Sequence, residues 1–340
     1  MIYKFKENRV RRAYFGGSRI DKFVGKEKTE DGRYPEEWLA STVTAFNPDM
    51  PKENEGLSVC EDGRFFIDII KENPKSILGK DYNEENQTLS ILVKLLDSAG
   101  RLVIQCHPTV PFAKKYFNSP FGKTECWYIL DANEEANVYL GFKEGITKEK
   151  WKKLYEAQDV EGMLNSLHNF KVKPGDLWFV DGGVPHAIGG GCFMIELQEP
   201  SDLMVIPEKV TPTGIVLDER KLHGGLGFEK MFDCYNYEGF SEEEIRTRYF
   251  RRAAEGFNKL MPIVAEDLTD KFKMSLIRVN NSAEVNFDGS YAMAVVTKGS
   301  GIITESGKET EISKGDKFFL SADAEEINLN GNMEIVFCYK

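Results

Sequence analysis

Two stretches of this chain, KPGDLWFVDGGVPHAI (173–188) and SKGDKFFLSADAEEIN (313–328), share a Gly-Asp, an aromatic strand pattern and a turn at a constant offset of 140 residues. Such a repeat constrains the fold more than composition does, because one supersecondary unit must serve twice. In each copy the Gly-Asp makes the turn into a strand. Counting Gly175 as the first residue of the unit, the twelfth is His186; its counterpart in the second copy is Glu326, and no histidine lies beyond residue 223. The chain therefore reads as two related β-barrels, one with a polar site and one without. The chemistry falls in the region 88–206.

The rest of the chain supports a mainly β fold with helical inserts. TLSILVKLLD, RLVIQCHP, ECWYILDA and ANVYLGF, from residue 88 onward, have the length and apolar content of short strands. A helical insert at about 141–168 has Thr147 as its N-cap, with Trp151, Leu154 and Tyr155 on one face. Strands return over 170–206, and SEEE at Ser241 is a capping box opening another helix. Nearer the N-terminus, EEWLASTVTAF (36–46) reads as a strand and GRFFIDIIKEN (63–73) as a helix stopping before Pro74. These patterns divide the chain into an N-terminal half (1–210), a helical and loop connection (211–265) and a C-terminal half (266–340).

Composition excludes several classes. The net charge of −11 argues against nucleic-acid backbones and anionic membrane surfaces, and the basic RVRRAYF (9–15) is too short to reverse that. No apolar run approaches the roughly 20 residues of a membrane span, and MIYKFKENR lacks a signal-peptide core, so a cytoplasmic monomer or homodimer is expected. The six cysteines (60, 106, 126, 192, 234 and 338) are scattered singly, mostly in apolar runs, as buried free thiols in a reducing compartment would be. Any metal must then take N and O ligands.

Four candidates of that kind lie in the repeat-bearing half. On an extended strand, Gln105 and His107 of IQCHPT project from one face while Cys106 turns to the other. Glu125 in GKTECWYIL and His186 in GGVPHAIGGG add a carboxylate and a second imidazole. A divalent metal with one carboxylate, two imidazoles and an amide keeps a net charge of about +1, suited to a developing oxyanion. Each residue also has a plainer reading: His107 beside Pro108 as a core or cap histidine, His186 as a backbone-bonding turn residue. Spacing leaves both readings open. His168 reads as a histidine at a helix C-terminus, His223 as part of a Gly-rich loop, and KEKWKK (148–153) as a solvated helix face. The GGG at 189–191 lacks the strand-helix context of a dinucleotide site.

IQCHPT, GKTECWYILDA, VKPGDLWFVDGGVPHAIGGG and FMIELQEPSD, in that order, resemble the type I mannose-6-phosphate isomerases, which are metal-dependent cupin enzymes. FGGSRI (15–20), EEWLAS (36–41) and SILVKLLD (90–97) extend the resemblance, although the family usually has Trp where Phe15 stands; VVTKGSGIIT and KGDKFFL are similar to its metal-free second cupin half. The resemblance implies two cupin-type jelly-roll halves and one zinc per chain held by Gln105, His107, Glu125 and His186. It also implies an aldose–ketose isomerase acting on a sugar phosphate through an enediol, with Glu196 and Asp202 at acidic positions near the substrate. Lys123, two residues before Glu125 and so on the same strand face, points a cation into the same pocket, and Glu196 is the candidate general base, its plainer reading being an outward-facing strand residue. One departure concerns the phosphate. Ile206 stands where the family carries an active-site Arg, and Lys209 or Arg220 are the nearby cations expected to take over substrate binding. An isomerase of another sugar, phosphorylated or free, and a catalytically silent sugar-binding cupin are the alternatives. A metal-cupin oxygenase is disfavoured because Gln105 is a poor ligand for that work.

Overall fold

The computed structural model describes residues 1–340 apart from Asn86 and Glu325. Its two repeat copies make the same turn. Asp176 accepts a hydrogen bond from the Lys173 amide at 3.0 Å, and Asp316 accepts one from the Ser313 amide at 2.6 Å. Gly175 and Gly315 both take positive φ, 87° and 96°, which glycine adopts without the Cβ penalty. The strands Asp176–Val180 and Lys317–Leu320 follow directly.

In the N-terminal half, a seven-stranded antiparallel sheet runs in the order Phe250–Arg252, Asp176–Val180, Glu125–Ala132, Cys192–Gln198, Leu92–Ser98, Glu36–Leu39, Arg9–Val10. A smaller sheet holds Leu167–Lys171, Asn137–Phe142 and His186–Ile188. The C-terminal half is a second seven-stranded sheet built on the long strands Lys273–Val285, Ala292–Glu305 and Ile327–Tyr339. The sheets are open rather than ring-closed, the double-sheet form of a jelly roll. The halves interlock. Residues 2–4 pair with Leu320 to Phe318, so the first strand of the chain belongs to the C-terminal sheet. One buried cluster runs from Trp127, Val180 and Ile195 to Met293, Val295 and Val336, joining both halves in a common core.

Several sequence expectations meet the structure directly. Thr147 caps the helix Lys148–Ala157 by accepting from the Lys150 amide, and Ser241 with Glu244 forms the capping box. All six cysteines are free and buried. Others change. EEWLASTVTAF is a strand only over Glu36–Leu39, and all four of those residues are buried rather than alternating. The helix Phe66–Glu72 stops as expected, but Pro74 then opens a second helix, Pro74–Leu78, because proline fits the first helical turn. His168 lies on the strand Leu167–Lys171 rather than at a helix end, with Nε2 2.8 Å from the Phe240 carbonyl. His223 ends the short helix Glu219–His223, and its Nδ1 accepts from the amides of Gly225 and Gly227. The 211–265 connection carries two strands besides helix and loop, one joined to each large sheet. Among the described residues, no helix is long and apolar enough to cross a membrane.

Candidate metal centre

Sheet register brings charge to one row of the N-terminal sheet. Trp38 pairs with Lys94, Lys94 with Glu196, and Glu196 with Trp127. Directly opposed residues share a face, so a buried Lys–Glu pair is flanked on both sides by indole rings. Lys94 Nζ lies 3.2 Å from Glu196 and 5.1 Å from the centre of the Trp38 ring. Glu125, two residues before Trp127 on its strand, emerges on the same face. Trp127 Nε1 donates to Glu125 Oε1 at 3.1 Å and so orients the carboxylate.

His107 arrives from a loop and His186 from the first position of the strand His186–Ile188. The segment expected as the strand RLVIQCHP pairs only through two isolated bridges, Gln105 with His186 and Cys106 with Val205. Pro108 offers no amide to continue a ladder, which is why the segment stays a pair of bridges. The first bridge nonetheless places Gln105 directly opposite His186. His107 Nδ1 bonds to the Leu203 carbonyl and His186 Nδ1 to the Val184 carbonyl, each at 2.9 Å. A carbonyl only accepts, so both rings carry the proton on Nδ1 and turn the Nε2 lone pair inward.

Those lone pairs meet the Glu125 carboxylate. His107 Nε2 is 3.1 Å and His186 Nε2 3.3 Å from its two oxygens, and all three donor atoms lie within 4.8 Å of one another. Burial drives the imidazoles neutral: His107 is lowered, and His186 falls to about 3. Burial pushes the Glu125 carboxyl up, but Lys123 and His107 outweigh it and hold it well below the usual carboxylate range. The His186 Nε2 atom is buried without a hydrogen-bond partner among the described residues. A buried acceptor left bare costs stability, and a Lewis acid would satisfy it. Two neutral imidazoles and a carboxylate, gathered at one point, form an N/O donor set that fits zinc. The Lys123 ammonium contacts the same atoms, 2.6 Å from His107 Nε2 and 2.6 Å from Glu125 Oε2.

A cavity opens beside this centre, with an empty volume of about 570 Å³ including its mouth. Gln105, Lys123, Glu196 and Asp202 all reach its wall. Glu196 is 3% exposed, not an outward-facing strand residue, and burial raises its pKa. Asp202 is held by Arg12 in a two-pronged pair, 3.0 Å on each side, and also accepts from the Phe46 amide. Lys209 and Arg220 are not brought to the cavity: Lys209 Nζ lies over the Tyr155 ring, and Arg220 is an exposed partner of Asp218. Ile206 does reach the wall, packed with Leu217 and Leu222. Sequence reasoning missed Arg12, Glu36, Lys94 and Lys221, which line the same cavity. The signal available for Lys94 was a lone charge inside the apolar run ILVKLL.

The sequence profile described as mannose-6-phosphate isomerase, cupin domain, matches residues 265–340. The probable mannose-6-phosphate isomerase GmuF of Bacillus subtilis is 28% identical over 255 residues, 75% of this chain and 76% of that protein. The crystal structure of the mannose 6-phosphate isomerase from Bacillus subtilis superposes with a TM-score of 0.77 at 22% identity, covering 99% of this chain and 98% of that one. A crystal structure of a mannose 6-phosphate isomerase bound with zinc and yttrium gives 0.74 at 15% identity, over 100% and 99% of the two chains.

Proposed function

We propose that this chain, similar to mannose-6-phosphate isomerases along most of its length, is a zinc-dependent aldose–ketose isomerase of that family converting mannose 6-phosphate to fructose 6-phosphate. The observation that carries the reading is the inward-turned Nε2 pair of His107 and His186 around Glu125, set against a buried Lys–Glu row. Gln105, opposite His186, supplies the fourth ligand. A zinc ion held by one such set per chain would polarise the O1/O2 edge of the sugar as a Lewis acid.

The chain's own groups then move the proton. Glu196 takes the proton from C2, its basicity increased by burial, while the salt bridge to Lys94 keeps it ionised and oriented. Loss of the C2 proton leaves an enediolate with its charge on O1; the O2 hydroxyl proton moves to O1, and Glu196 returns its proton to C1 as the C2=O2 carbonyl forms, giving the ketose. Lys123, 3.7 Å from Glu196 and in contact with two of the metal donors, supplies positive charge next to the developing enediolate. Arg12 fixes Asp202 and Glu36, so these two carboxylates shape the cavity rather than carry protons. Ile206 and its apolar neighbours favour one rival, an isomerase of an unphosphorylated sugar.

The test separates metal binding from turnover. Lys123→Met removes the ammonium that shares the donor atoms, so the variant is expected to retain zinc at the wild-type ratio. Its kcat on mannose 6-phosphate should fall on the order of 10²–10³-fold, the loss typical of one preorganised charge donor. Zinc is read by elemental analysis and kcat by a coupled assay with mannose 6-phosphate and free mannose side by side. Wild-type turnover in the variant, or preference for free mannose in the wild type, overturns the assignment.

A further inference from the structure

We propose that Lys221 holds the substrate phosphate and so makes this isomerase specific for a phosphorylated sugar; the inference rests on the sugar-phosphate reading above. Four cations line the cavity: Arg12, Lys94, Lys123 and Lys221. The first three are committed. Arg12 lies 3.0 Å from Asp202 and 3.0 Å from Glu36, Lys94 3.2 Å from Glu196, and Lys123 2.6 Å from Glu125. Lys221 is 7% exposed, and among the described residues no carboxylate oxygen comes within 4.0 Å of its ammonium. Its one side-chain partner among the described residues is neutral, Asn47 Oδ1 at 3.3 Å. Asn47 is itself held, because its amide donates to the Arg11 carbonyl at 2.8 Å and to Glu55 at 2.9 Å, which aims Oδ1 at the lysine. Burial, followed by the nearby Arg12 charge, lowers the Lys221 pKa, while Asp202, Asp49 and Glu36 pull the other way from beyond ion-pair distance.

Charge balance points the same way. The cavity and metal centre hold four cations (Arg12, Lys94, Lys123, Lys221) against four carboxylates (Glu36, Glu125, Glu196, Asp202), which cancel. A divalent metal then leaves about +2, and a phosphate monoester carries roughly −1.5 to −2 at pH 7. Lys221 sits on the short helix Glu219–His223, tied to the wall where the Ile206 amide donates to the Leu222 carbonyl at 2.7 Å. That contact puts the unpaired cation beside the apolar Ile206 patch. The sugar carbons can lie on that patch while the phosphate meets the ammonium.

The experiment uses the zinc-loaded full chain and its Lys221→Met and Lys221→Arg variants, with mannose 6-phosphate as substrate and inorganic phosphate as competitive inhibitor. Lys221→Met, which keeps the volume and removes the charge, is expected to raise KM and the phosphate inhibition constant together by roughly 10- to 100-fold. Its kcat should change much less, and Lys221→Arg should recover most of the affinity. Thermal unfolding of each variant without phosphate controls for folding, and phosphate-dependent stabilisation gives a readout independent of activity. Wild-type KM and wild-type phosphate binding in Lys221→Met overturn the inference, as does a wild type that binds no phosphate. If the wild type isomerises no sugar phosphate while phosphate stabilises it and not Lys221→Met, the isomerase reading falls and the anion site stands.

Discussion

His186→Ala is expected to leave the protein without bound zinc and without measurable isomerase activity. Its Nε2 is a bare, buried acceptor pointing at Glu125 and His107, and its Nδ1 is already committed to the Val184 carbonyl. Alanine removes one proposed ligand of a small donor set, so the affinity loss should exceed the roughly 10- to 100-fold that changing a residue bonded to a ligand costs. His107→Ala should behave the same way, since its ring is fixed through Leu203 in the same manner. Both rings are fully buried, so His186→Gln, which fills more of the space, serves as the folding control. Elemental analysis and unfolding curves together decide the matter. A folded variant retaining wild-type zinc would show that the ligands lie elsewhere.

Arg12→Met should cost about 3–5 kcal/mol of stability, because it takes the nearest cation from the buried carboxylates of Asp202 and Glu36. The methionine fills most of the volume, so the loss is electrostatic rather than a cavity effect. Adding Asp202→Asn to Arg12→Met should recover part of the loss, since one uncompensated charge disappears. The sign of the pH dependence follows from the folded-state carboxyls. Burial raises both, but Arg12, with Lys94, outweighs it and holds Glu36 and Asp202 below their ordinary values. Their contribution is therefore fully present above the unfolded carboxyl range near pH 4 and lost as pH falls through the folded values. The deficit of Arg12→Met against wild type, measured by denaturant unfolding, should narrow below about pH 4. A constant deficit would assign Arg12 a packing role only.

The sequence made some of this legible for identifiable reasons. Gly175 and Gly315 announced the repeated turn because positive φ has few other occupants. His107, Glu125 and His186 stood out because histidines and acids in apolar runs are rare, and the structure gathers these three at one point. The partners around them were illegible because they come from distant segments joined by register. Arg12 lies in a run that reads as surface basic residues, yet it is 5% exposed and bound to a residue 190 positions away. Glu36 and Lys94 belong to separate strands, and pairing alone puts Trp38 opposite Lys94. Arg220 and Lys221 are adjacent in sequence, but one helical step of about 100° sends the first to solvent and the second to the cavity. Local pattern cannot choose between two such neighbours.

The most direct test of the account follows mannose 6-phosphate in D₂O by proton NMR, with zinc-loaded wild type and Glu196→Gln side by side. A buried carboxylate that removes and returns a proton through an enediol exchanges part of it with solvent. Zinc-dependent formation of fructose 6-phosphate is expected, with deuterium entering at C1 of the ketose and C2 of the aldose, and suppression of both processes in Glu196→Gln. Unchanged mannose 6-phosphate with fully loaded wild type, or equal exchange in Glu196→Gln, would contradict it.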